Sequence, residues 1–336
     1  MANFVDIELI VEAELGAASD PLLCNVEMPL CATYYPLGFP VEIATNSSYI
    51  LEAAEESWGE FRTAAFSVPP FQLRVGVTET ESNRCPPYPV CRSHRNLLSV
   101  VADADNFSTC DLERRFAFIW LSQTAAEHRS YVRYHFLESA FFVLLASSYA
   151  TPIHAACVSY EGRGFLLCGD SGAGKSSLAY ACACAGWAYT TDDSSYLLRG
   201  REDNLVVGNA YKIRFRPSAV QLFPELGGRT LTPRAVGKPS IEIPVGRVAD
   251  IATVSQCSID HVVFLNRQSG DQATVEPFPA EAAMQWLNPT PYGNSDTRDS
   301  QTESLRKLLK ADIWELRYSD LNDAIEVLQS LARRSK

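Results

Sequence analysis

Apolar and polar residues alternate in short runs along the first third of the chain, and proline-rich turns separate these runs. FQLRVGV and RFAFIWL are typical of half-buried strands, whereas SVPPF and CPPYPV are typical of turns. After these strands the apolar period becomes helical, with Val132, Phe136 and Val143 on one face. The pattern predicts a small α+β domain over residues 1–149 that ends in one helix over residues 125–149.

Strands and helices alternate after Pro152, which predicts a second, α/β domain over residues 150–336. The predicted elements begin with strands over residues 154–160 and 165–168 joined by a tight EGRG turn, a helix over residues 175–185 and a strand over residues 187–191. They continue with a hairpin of SYLLR and NLVVG, the strands KIRFR, SIEIP and HVVFLNR, and a tail of helices around the strand WELRY. Because the strand before the glycine-rich loop is the second arm of a hairpin, we predict a mixed sheet. This order argues against a GTPase switch, and no guanine-recognition pattern accompanies the loop.

The composition argues against several classes of protein. A net charge of -11 and a pI near 5.0 do not provide the basic face that nucleic acid or an acidic membrane surface requires. No basic segment followed by an apolar run opens the chain, so no secretion signal is predicted. The most apolar helix candidate, FLESAFFVLLA, is too short to cross a bilayer and contains Glu138. We therefore expect a cytoplasmic protein that binds neither nucleic acid nor membrane.

The ten cysteines are compatible with a reduced protein. Cys168, Cys182 and Cys184 lie among small apolar residues, where reduced cysteine commonly fills a core. Cys85 and Cys91 in CPPYPVC could form a disulfide, but the reduced form is favoured. The five histidines are scattered along the chain, so no cluster predicts a transition-metal site.

The stretch GDSGAGKSS fits the phosphate-binding pattern G-x-x-x-x-G-K-[ST]. It consists of Gly169, Asp170, Ser171, Gly172, Ala173, Gly174, Lys175, Ser176 and Ser177. A predicted strand precedes it and a predicted helix follows it, so its backbone N–H groups would surround phosphate oxygens at a helix N-terminus. Lys175 would add a positive charge for the β- and γ-phosphates, and the Ser176 hydroxyl would bind Mg²⁺. The expected ligands are ATP, or another nucleoside triphosphate, and Mg²⁺; the alternative is a glycine-rich turn that binds nothing.

An acid pair, Asp192 and Asp193, follows the apolar strand WAYTT, which we expect to lie beside the strand that enters the loop. Neighbouring residues at a strand end point to opposite sides, so the two carboxylates are suited to different tasks. One can hold a metal ion, and the other can accept the proton of a hydroxyl group that receives a phosphoryl group. The alternative is a single metal-binding aspartate with a solvated neighbour.

Three features occur in one order: His154 at the start of a strand, then GDSGAGKS, then the Asp-Asp pair. Their order and intervals resemble the catalytic domain of the HPr kinase/phosphorylase family, and the resemblance covers about residues 150–215. It implies the mixed-sheet P-loop fold of the HPr-kinase and phosphoenolpyruvate-carboxykinase type. Three matched elements are more specific than a phosphate loop alone.

The resemblance also implies roles for individual residues. His154 would lie beside the reacting groups, and the alternative is a core histidine at a strand start. Lys175 and Ser176 would bind phosphate and Mg²⁺. Asp193 would be the general base, which leaves Asp192 to hold the metal together with Ser176.

The segment after the acid pair departs from the family pattern. It has no counterpart of the family's glutamate-containing segment, which resembles E-I-R-G-L-G, and reads GNAYKIRFRPSAVQLFPELGG instead. Arg214 and Arg216 in this segment are candidates for contacting phosphate or substrate, and we count Arg214 among the catalytic candidates. A structural charge pattern on one strand face is the alternative. The missing segment argues against the reverse, phosphorylase, reaction.

The first 150 residues do not resemble the domain that accompanies the HPr enzymes. The chain looks closer to a divergent HPr-kinase-like group, whose relatives phosphorylate free serine or the C-terminal residue of ribosomal peptides. The expected function is an ATP- and Mg²⁺-dependent kinase that transfers the γ-phosphoryl group to a serine-type hydroxyl of a protein, a peptide or free serine. The alternatives are a small-metabolite kinase or ATPase on the same fold and a catalytically silent nucleotide sensor. The expected partners are nucleotide and phosphate acceptor, with self-association left open.

Overall fold

The computed structural model describes residues 26–79, 84–232, 239–245, 250–268, 270, 272–287 and 294–334. These residues form a mixed α/β structure with three β-sheets. Residues 1–25, where no secretion signal was predicted, lie outside this description. No helix within the described ranges is both long enough and apolar enough to cross a membrane. The expected cytoplasmic location stays a prediction.

Seven strands form the first sheet: β1 (Leu30–Tyr34), β2 (Val41–Thr45), β3 (Phe71–Thr78), β4 (Val90–His94), β5 (Leu97–Val101), β6 (Phe107–Asp111) and β7 (Phe116–Ser122). Their order across the sheet is β1-β2-β3-β7-β6-β5-β4. β2, β3 and β7 run parallel, and helix α1 (Ser48–Trp58) connects β2 to β3. The predicted strands FQLRVGV and RFAFIWL are confirmed as β3 and β7. We call this sheet and its helices the first unit.

The first unit ends in an interrupted helical run, and the single helix predicted over residues 125–149 is wrong. The run consists of α2 (Gln123–Glu127), α3 (Arg129–Val132), a π-helical turn (Arg133–Leu137) and α4 (Glu138–Ser148). At His128 the backbone leaves helical geometry (φ -85°, ψ 74°). Its ring Nδ1 lies 2.7 Å from the main-chain oxygen of Thr124, while its main-chain N–H donates to Ala125. The imidazole thus occupies the carbonyl that the main chain would use in a continuous helix.

Nine strands form the second sheet: β8 (Ala150–Ile153), β9 (Ala156–Tyr160), β10 (Arg163–Cys168), β11 (Ala188–Thr191), β12 (Ser195–Leu198), β13 (Leu205–Val207), β17 (Gln256–Arg267), β18 (Thr274–Pro277) and β19 (Asp312–Tyr318). Most of them follow the order β11-β9-β10-β17-β13-β12-β8, and β19 pairs with β17 and β18. A third sheet contains β14 (Lys212–Phe215), β15 (Leu231–Thr232) and β16 (Ser240–Pro244). The helices are α5 (Lys175–Cys184), α6 (Ala280–Leu287), α7 (Ser295–Leu308) and α8 (Leu321–Arg334). We call these elements the second unit.

The strand that enters the glycine-rich loop, β10, does not touch the strand that precedes the acid pair, β11, so the expected adjacency is wrong. A two-residue turn at Glu161 and Gly162, with φ of 49° and 80°, folds β9 back against β10. The other edge of β10 is taken by β17, so β11 pairs with the free edge of β9. Because β9 is antiparallel to both, β10 and β11 run in the same direction and end at the same edge of the sheet.

The strand predicted over residues 154–160 is β9, which begins two residues later than predicted, so His154 lies outside it. β8 ends at Ile153, β9 begins at Ala156, and His154 lies in the bend between them. The two strands belong to different parts of the sheet, because β8 pairs with β12 and β9 pairs with β10 and β11. His154 therefore lies between the two parts of the sheet, and its side chain is 56% exposed.

One hydrophobic cluster joins the two units. It contains side chains of the first sheet and α4, and it also includes four side chains of the β12–β13 hairpin: Tyr196, Leu198, Leu205 and Val207. Phe142 of α4 stacks on Tyr196 with 5.2 Å between the ring centroids. The sheets divide between α4 and β8, whereas apolar packing crosses that point. The domain boundary at residue 149 stays a prediction.

Candidate functional site

Residues 169–174 connect β10 to α5, as the sequence predicts, and we call them the glycine-rich loop. Gly172 and Gly174 have φ of 99° and 101°, a conformation that favours glycine. A Cβ on Gly174 would lie 2.5 Å from the hydroxyl oxygen of Tyr318, at the end of β19. That hydroxyl donates a hydrogen bond of 2.9 Å to the main-chain oxygen of Ala173. The loop is therefore shaped by its own glycines and by a tyrosine from a distant strand.

A tryptophan supports the other side of the glycine-rich loop. The indole Nε1 of Trp286, on α6, donates to Asp170 Oδ1 at 3.2 Å. Its ring packs edge-on against Phe264 of β17, with 5.4 Å between centroids. Sequence reasoning missed both Trp286 and Tyr318, because neither belongs to a motif and both reach the loop only through tertiary structure.

Lys175 begins α5 and is only 6% exposed. Its Nζ donates to the main-chain oxygen of Gly169 at 2.6 Å and lies 3.3 Å from that of Asp170. Burial lowers the pKa of the ammonium, while the charges of Asp193 and Asp170 partly oppose this effect. A buried ammonium held by two main-chain oxygens is suited to binding an anionic ligand above the loop.

The acid pair divides into a buried and a more accessible carboxylate, as their alternating directions predict. Asp192 is 5% exposed; its Oδ1 accepts from the Tyr189 hydroxyl at 3.2 Å and its Oδ2 accepts from the Arg214 main-chain N–H at 3.0 Å. Burial, followed by the charge of Asp193, raises its pKa to about 6. Asp193 is 18% exposed, and its Oδ1 lies 3.2 Å from Nδ1 of His154.

The structure brings most of the predicted site residues together. The Ser176 hydroxyl lies 3.5 Å from the main-chain oxygen of Asp192, which links the start of α5 to the end of β11. Asp193 is close enough to raise the pKa of Lys175, and it contacts His154 on its other side. The loop, the lysine, the acid pair and the histidine therefore occupy one edge of the second sheet.

Arg214 in β14 and Arg216 directly after it place their guanidinium groups in different parts of the structure. The Arg214 main-chain N–H holds Asp192, but its guanidinium turns away to Glu242, with Nε and Nη2 both 2.8 Å from Oε2. The Arg216 guanidinium instead reaches the glycine-rich loop, where Nη2 donates to the Ser171 hydroxyl. Of the two candidates for contacting phosphate, Arg216 is the one placed beside the loop.

The guanidinium of Arg214 belongs to a group of charged side chains between the units, which we call the interunit ion cluster. Its members are Glu56, Arg133 and Glu138 of the first unit and Lys212, Arg214 and Glu242 of the second. The Tyr134 hydroxyl also donates to Glu242 Oε2 at 2.8 Å. Burial alone would raise the pKa of Glu242, but Arg214, Lys212 and Arg133 outweigh burial and hold it at about 2.

Sequence reasoning missed the interunit ion cluster, although one signal was present. Glu138 stands alone in the apolar run FLESAFFVLLA, and it is 9% exposed in the fold. A buried carboxylate requires cationic or hydrogen-bonding partners, and here Ser57 donates to it at 2.8 Å. The sequence does not identify these partners, because they come from segments that meet only when the two units pack together.

A cavity of about 60 Å³ lies between the two units and borders the acid pair. The first unit lines it with residues around the end of α1 and with α4, and the second unit lines it with residues 191–194 and side chains of β14. The cavity is thus the space beside Asp193 that a small group could enter.

The residues present fit a nucleotide with Mg²⁺. The loop and the N-terminus of α5 provide main-chain N–H groups and Lys175 for phosphate. Ser176, whose hydroxyl lies 3.5 Å from the main-chain oxygen of Asp192, offers a hydroxyl oxygen for a hard cation, and Asp192 adds a nearby carboxylate. Within the described ranges there is no group of three or more His, Cys, Asp and Glu side chains arranged to hold a metal. Mg²⁺ is commonly bound by one or two protein oxygens that are completed by substrate phosphate and water.

Comparisons with known proteins give distant similarity to solved structures only. No protein-family model matches the chain, and no curated protein matches it. Among solved structures, the chain is similar to the Hpr(Ser) kinase/phosphatase from Coxiella burnetii, with 14% sequence identity and a TM-score of 0.29. The alignment covers 55% of this chain and 95% of that chain. This is a weak and distant structural link.

Proposed function

We propose that this protein is an ATP- and Mg²⁺-dependent kinase that phosphorylates a serine-type hydroxyl at the acid pair. The observation that carries the proposal is the position of Asp193. Its carboxylate is partly exposed, borders a cavity and lies at the same sheet edge as the buried Lys175 of the glycine-rich loop. A base, a space for an acceptor and a site for triphosphate therefore adjoin one another.

In the proposed reaction the chain's residues hold and orient the reactants. Main-chain N–H groups of the loop, with Lys175, bind the β- and γ-phosphates, and Arg216 adds charge above the loop. Ser176 and Asp192 would hold Mg²⁺, which supplies charge neutralisation at the phosphates. Asp192 is kept in place by Tyr189 and by the Arg214 main chain.

Asp193 accepts the proton of the acceptor hydroxyl. The acceptor oxygen bonds to the γ-phosphorus as the bond from phosphorus to the β–γ bridging oxygen breaks. The nucleoside diphosphate leaves with the electron pair of that bond, and the products are the phosphate ester and the diphosphate. His154, 3.2 Å from Asp193, is a positioning residue that orients the accepting carboxylate.

The test is transfer from γ-labelled ATP in the presence of Mg²⁺, with free serine, serine-ended peptides and an HPr-type protein as acceptors. Wild type is compared with Lys175→Ala, Asp193→Asn and Asp260→Asn. Asp260 is a matched control, because it pairs with Arg163 at 2.8 Å, among residues that line neither the loop nor the acid pair. Mass spectrometry locates the phosphate on the product.

We expect Asp193→Asn to lower the transfer rate by about 10²- to 10⁴-fold with little change in ATP affinity. Lys175→Ala should remove ATP binding, and Asp260→Asn should behave as wild type. His154→Asn, which keeps a donor near the position of Nδ1, should retain more activity than His154→Ala. ATP turnover without labelled acceptor would favour the metabolite kinase or ATPase, and binding without turnover would favour the sensor. Undiminished transfer in Asp193→Asn would show that another group is the base.

A further inference from the structure

The cavity beside the acid pair has walls from both units. The first unit lines it with the apolar side chains Leu37, Trp58, Phe61 and Phe142 and with Ser57 and Glu138, and the second unit lines it with polar side chains that include Asp193, Ser194, Lys212 and Arg214. The apolar side chains come from residues in the segment before β2, at the end of α1 and on α4. The first unit, which carries none of the proposed nucleotide-binding residues, thus faces the proposed base directly.

Aromatic contacts on both sides fix the apolar wall. Trp58 packs edge-on against Phe141 at 5.8 Å between centroids, and Phe142 stacks on Tyr196 at 5.2 Å. Phe61 packs edge-on against Tyr211 of the second unit at 4.9 Å. Two of these three contacts cross between the units, so the wall is preformed when the units are packed together.

The size of the cavity limits what can enter it. One water requires about 10–15 Å³ of cavity volume, so the 60 Å³ cavity has room for about four to six water-sized groups. This is enough for a hydroxyl group on a short unbranched arm, but the remainder of the acceptor must stay outside. An additional methyl group on the hydroxyl-bearing carbon would take up a large share of the little volume that the cavity offers.

We infer that this interunit cavity is the acceptor site, that it takes a primary alcohol on a short unbranched aliphatic arm, and that the first unit selects the acceptor through Phe61 and its neighbours. The inference rests on the proposed kinase function and adds the acceptor class and its selecting wall. Free serine and a serine on an extended peptide present the same chemistry. Serine is preferred over threonine, because a tight pocket discriminates one methyl group by about tenfold or more.

Two variants and one control test this inference. Phe61→Ala removes part of the apolar wall, and Ser194→Phe places a ring at the exposed edge of the cavity, where a larger side chain is tolerated. Phe118→Ala is the matched control, because Phe118 packs on Phe107 and Trp120 of the first sheet and does not line the cavity. Each protein is assayed for ATP affinity, for ATP hydrolysis without acceptor, and for transfer to serine, threonine and two peptides that carry serine internally or at the end.

Ser194→Phe is expected to lower both transfer and hydrolysis at least about tenfold with unchanged ATP affinity, because its ring would fill the space that borders Asp193. Phe61→Ala is expected to lower the serine-to-threonine rate ratio about tenfold. Phe118→Ala keeps the wild-type ratio. Comparing the transfer rates to free serine and to the two peptides then identifies whether the site uses free serine or a serine within a peptide.

Normal transfer and hydrolysis in Ser194→Phe, together with an unchanged ratio in Phe61→Ala, would place the acceptor elsewhere while leaving the kinase intact. If Phe118→Ala changes the serine-to-threonine rate ratio as much as Phe61→Ala does, the change would come from a general loss of packing in the first unit and not from the cavity wall. Wild type that binds ATP but shows neither transfer nor hydrolysis would overturn the proposed function and the acceptor site with it. If Phe61→Ala does not fold, Ser194→Phe decides the question alone.

Discussion

Replacing Asp192 with asparagine should stabilise the protein at neutral pH while removing a group that the proposed reaction uses. The carboxylate is buried beside a second carboxylate, and the two effects raise its pKa from an ordinary value of 3.8 to about 6. Asparagine keeps an oxygen for the Arg214 main-chain N–H and offers an amide donor to the Tyr189 hydroxyl oxygen. Tyr189 can still donate to the main-chain oxygen of Lys212 at 3.1 Å.

The magnitude follows from the raised pKa. Because the folded protein binds this proton more tightly than the unfolded chain does, stability is highest below the unfolded pKa and falls as pH rises through about 6. The full cost above that pH is on the order of 3 kcal/mol. At about pH 5 roughly half of this cost is present. Asp192→Asn removes the cost, so its advantage over wild type should be about twice as large at pH 8 as at pH 5.

Urea unfolding of the nucleotide-free and Mg²⁺-free protein, followed at about pH 8 and pH 5, measures this difference. Asp203→Asn is the control, because Asp203 is exposed and its hydrogen bond to Arg201 lowers its pKa. That variant should lose a little stability at pH 8 instead of gaining it. Asp192→Asn that is less stable than wild type at pH 8, or equally advantaged at both pH values, would refute the electrostatic reasoning.

Three further predictions concern the loop and the interunit ion cluster. Gly174→Ala should weaken ATP binding at least about tenfold by titration, because its Cβ would clash with the Tyr318 hydroxyl at a positive φ, and an unchanged Kd would contradict this. Trp286→Phe removes the donor to Asp170, so ATP affinity should fall a few-fold with a Tm within a few degrees of wild type. Glu242 gives stability that is present above its unfolded pKa near 4.5 and is lost as pH falls toward 2, so Glu242→Gln should cost about 3 kcal/mol at neutral pH and flatten the acid unfolding curve.

The loop and the acid pair could be predicted from the sequence, because the residues that form them are close together in the chain. A strand, a glycine-rich turn and a helix are contiguous in the chain, so the pattern GDSGAGKSS predicted this order of elements and the position of Lys175 at the start of the helix. The opposite directions of Asp192 and Asp193 follow from strand geometry in the same way. Each of these predictions depends on residues within about one turn or strand of one another.

The other features of the site depend on contacts between residues far apart in the sequence, so sequence patterns did not predict them. The strand β11 was expected beside β10, but the hairpin turn at Glu161 and Gly162 gave β9 that place. Arg214 could not be distinguished from Arg216 in sequence, because the partner that draws its guanidinium away, Glu242, lies on another strand of the third sheet. The cavity beside Asp193 is formed by the packing of two units, so no contiguous stretch of sequence indicates it.

The interunit ion cluster also limits how this protein can change by engineering or in evolution. Glu242 receives Arg133 from one unit and Arg214 from the other, and the main chain of Arg214 holds Asp192. Exchanging the first unit for an unrelated one would leave these charges without their partners and would expose the apolar hairpin that ends in Val207. The two halves are therefore expected to change together, by compensating substitutions across their boundary, and a new acceptor preference would arise by remodelling the wall in place rather than by recombining whole modules.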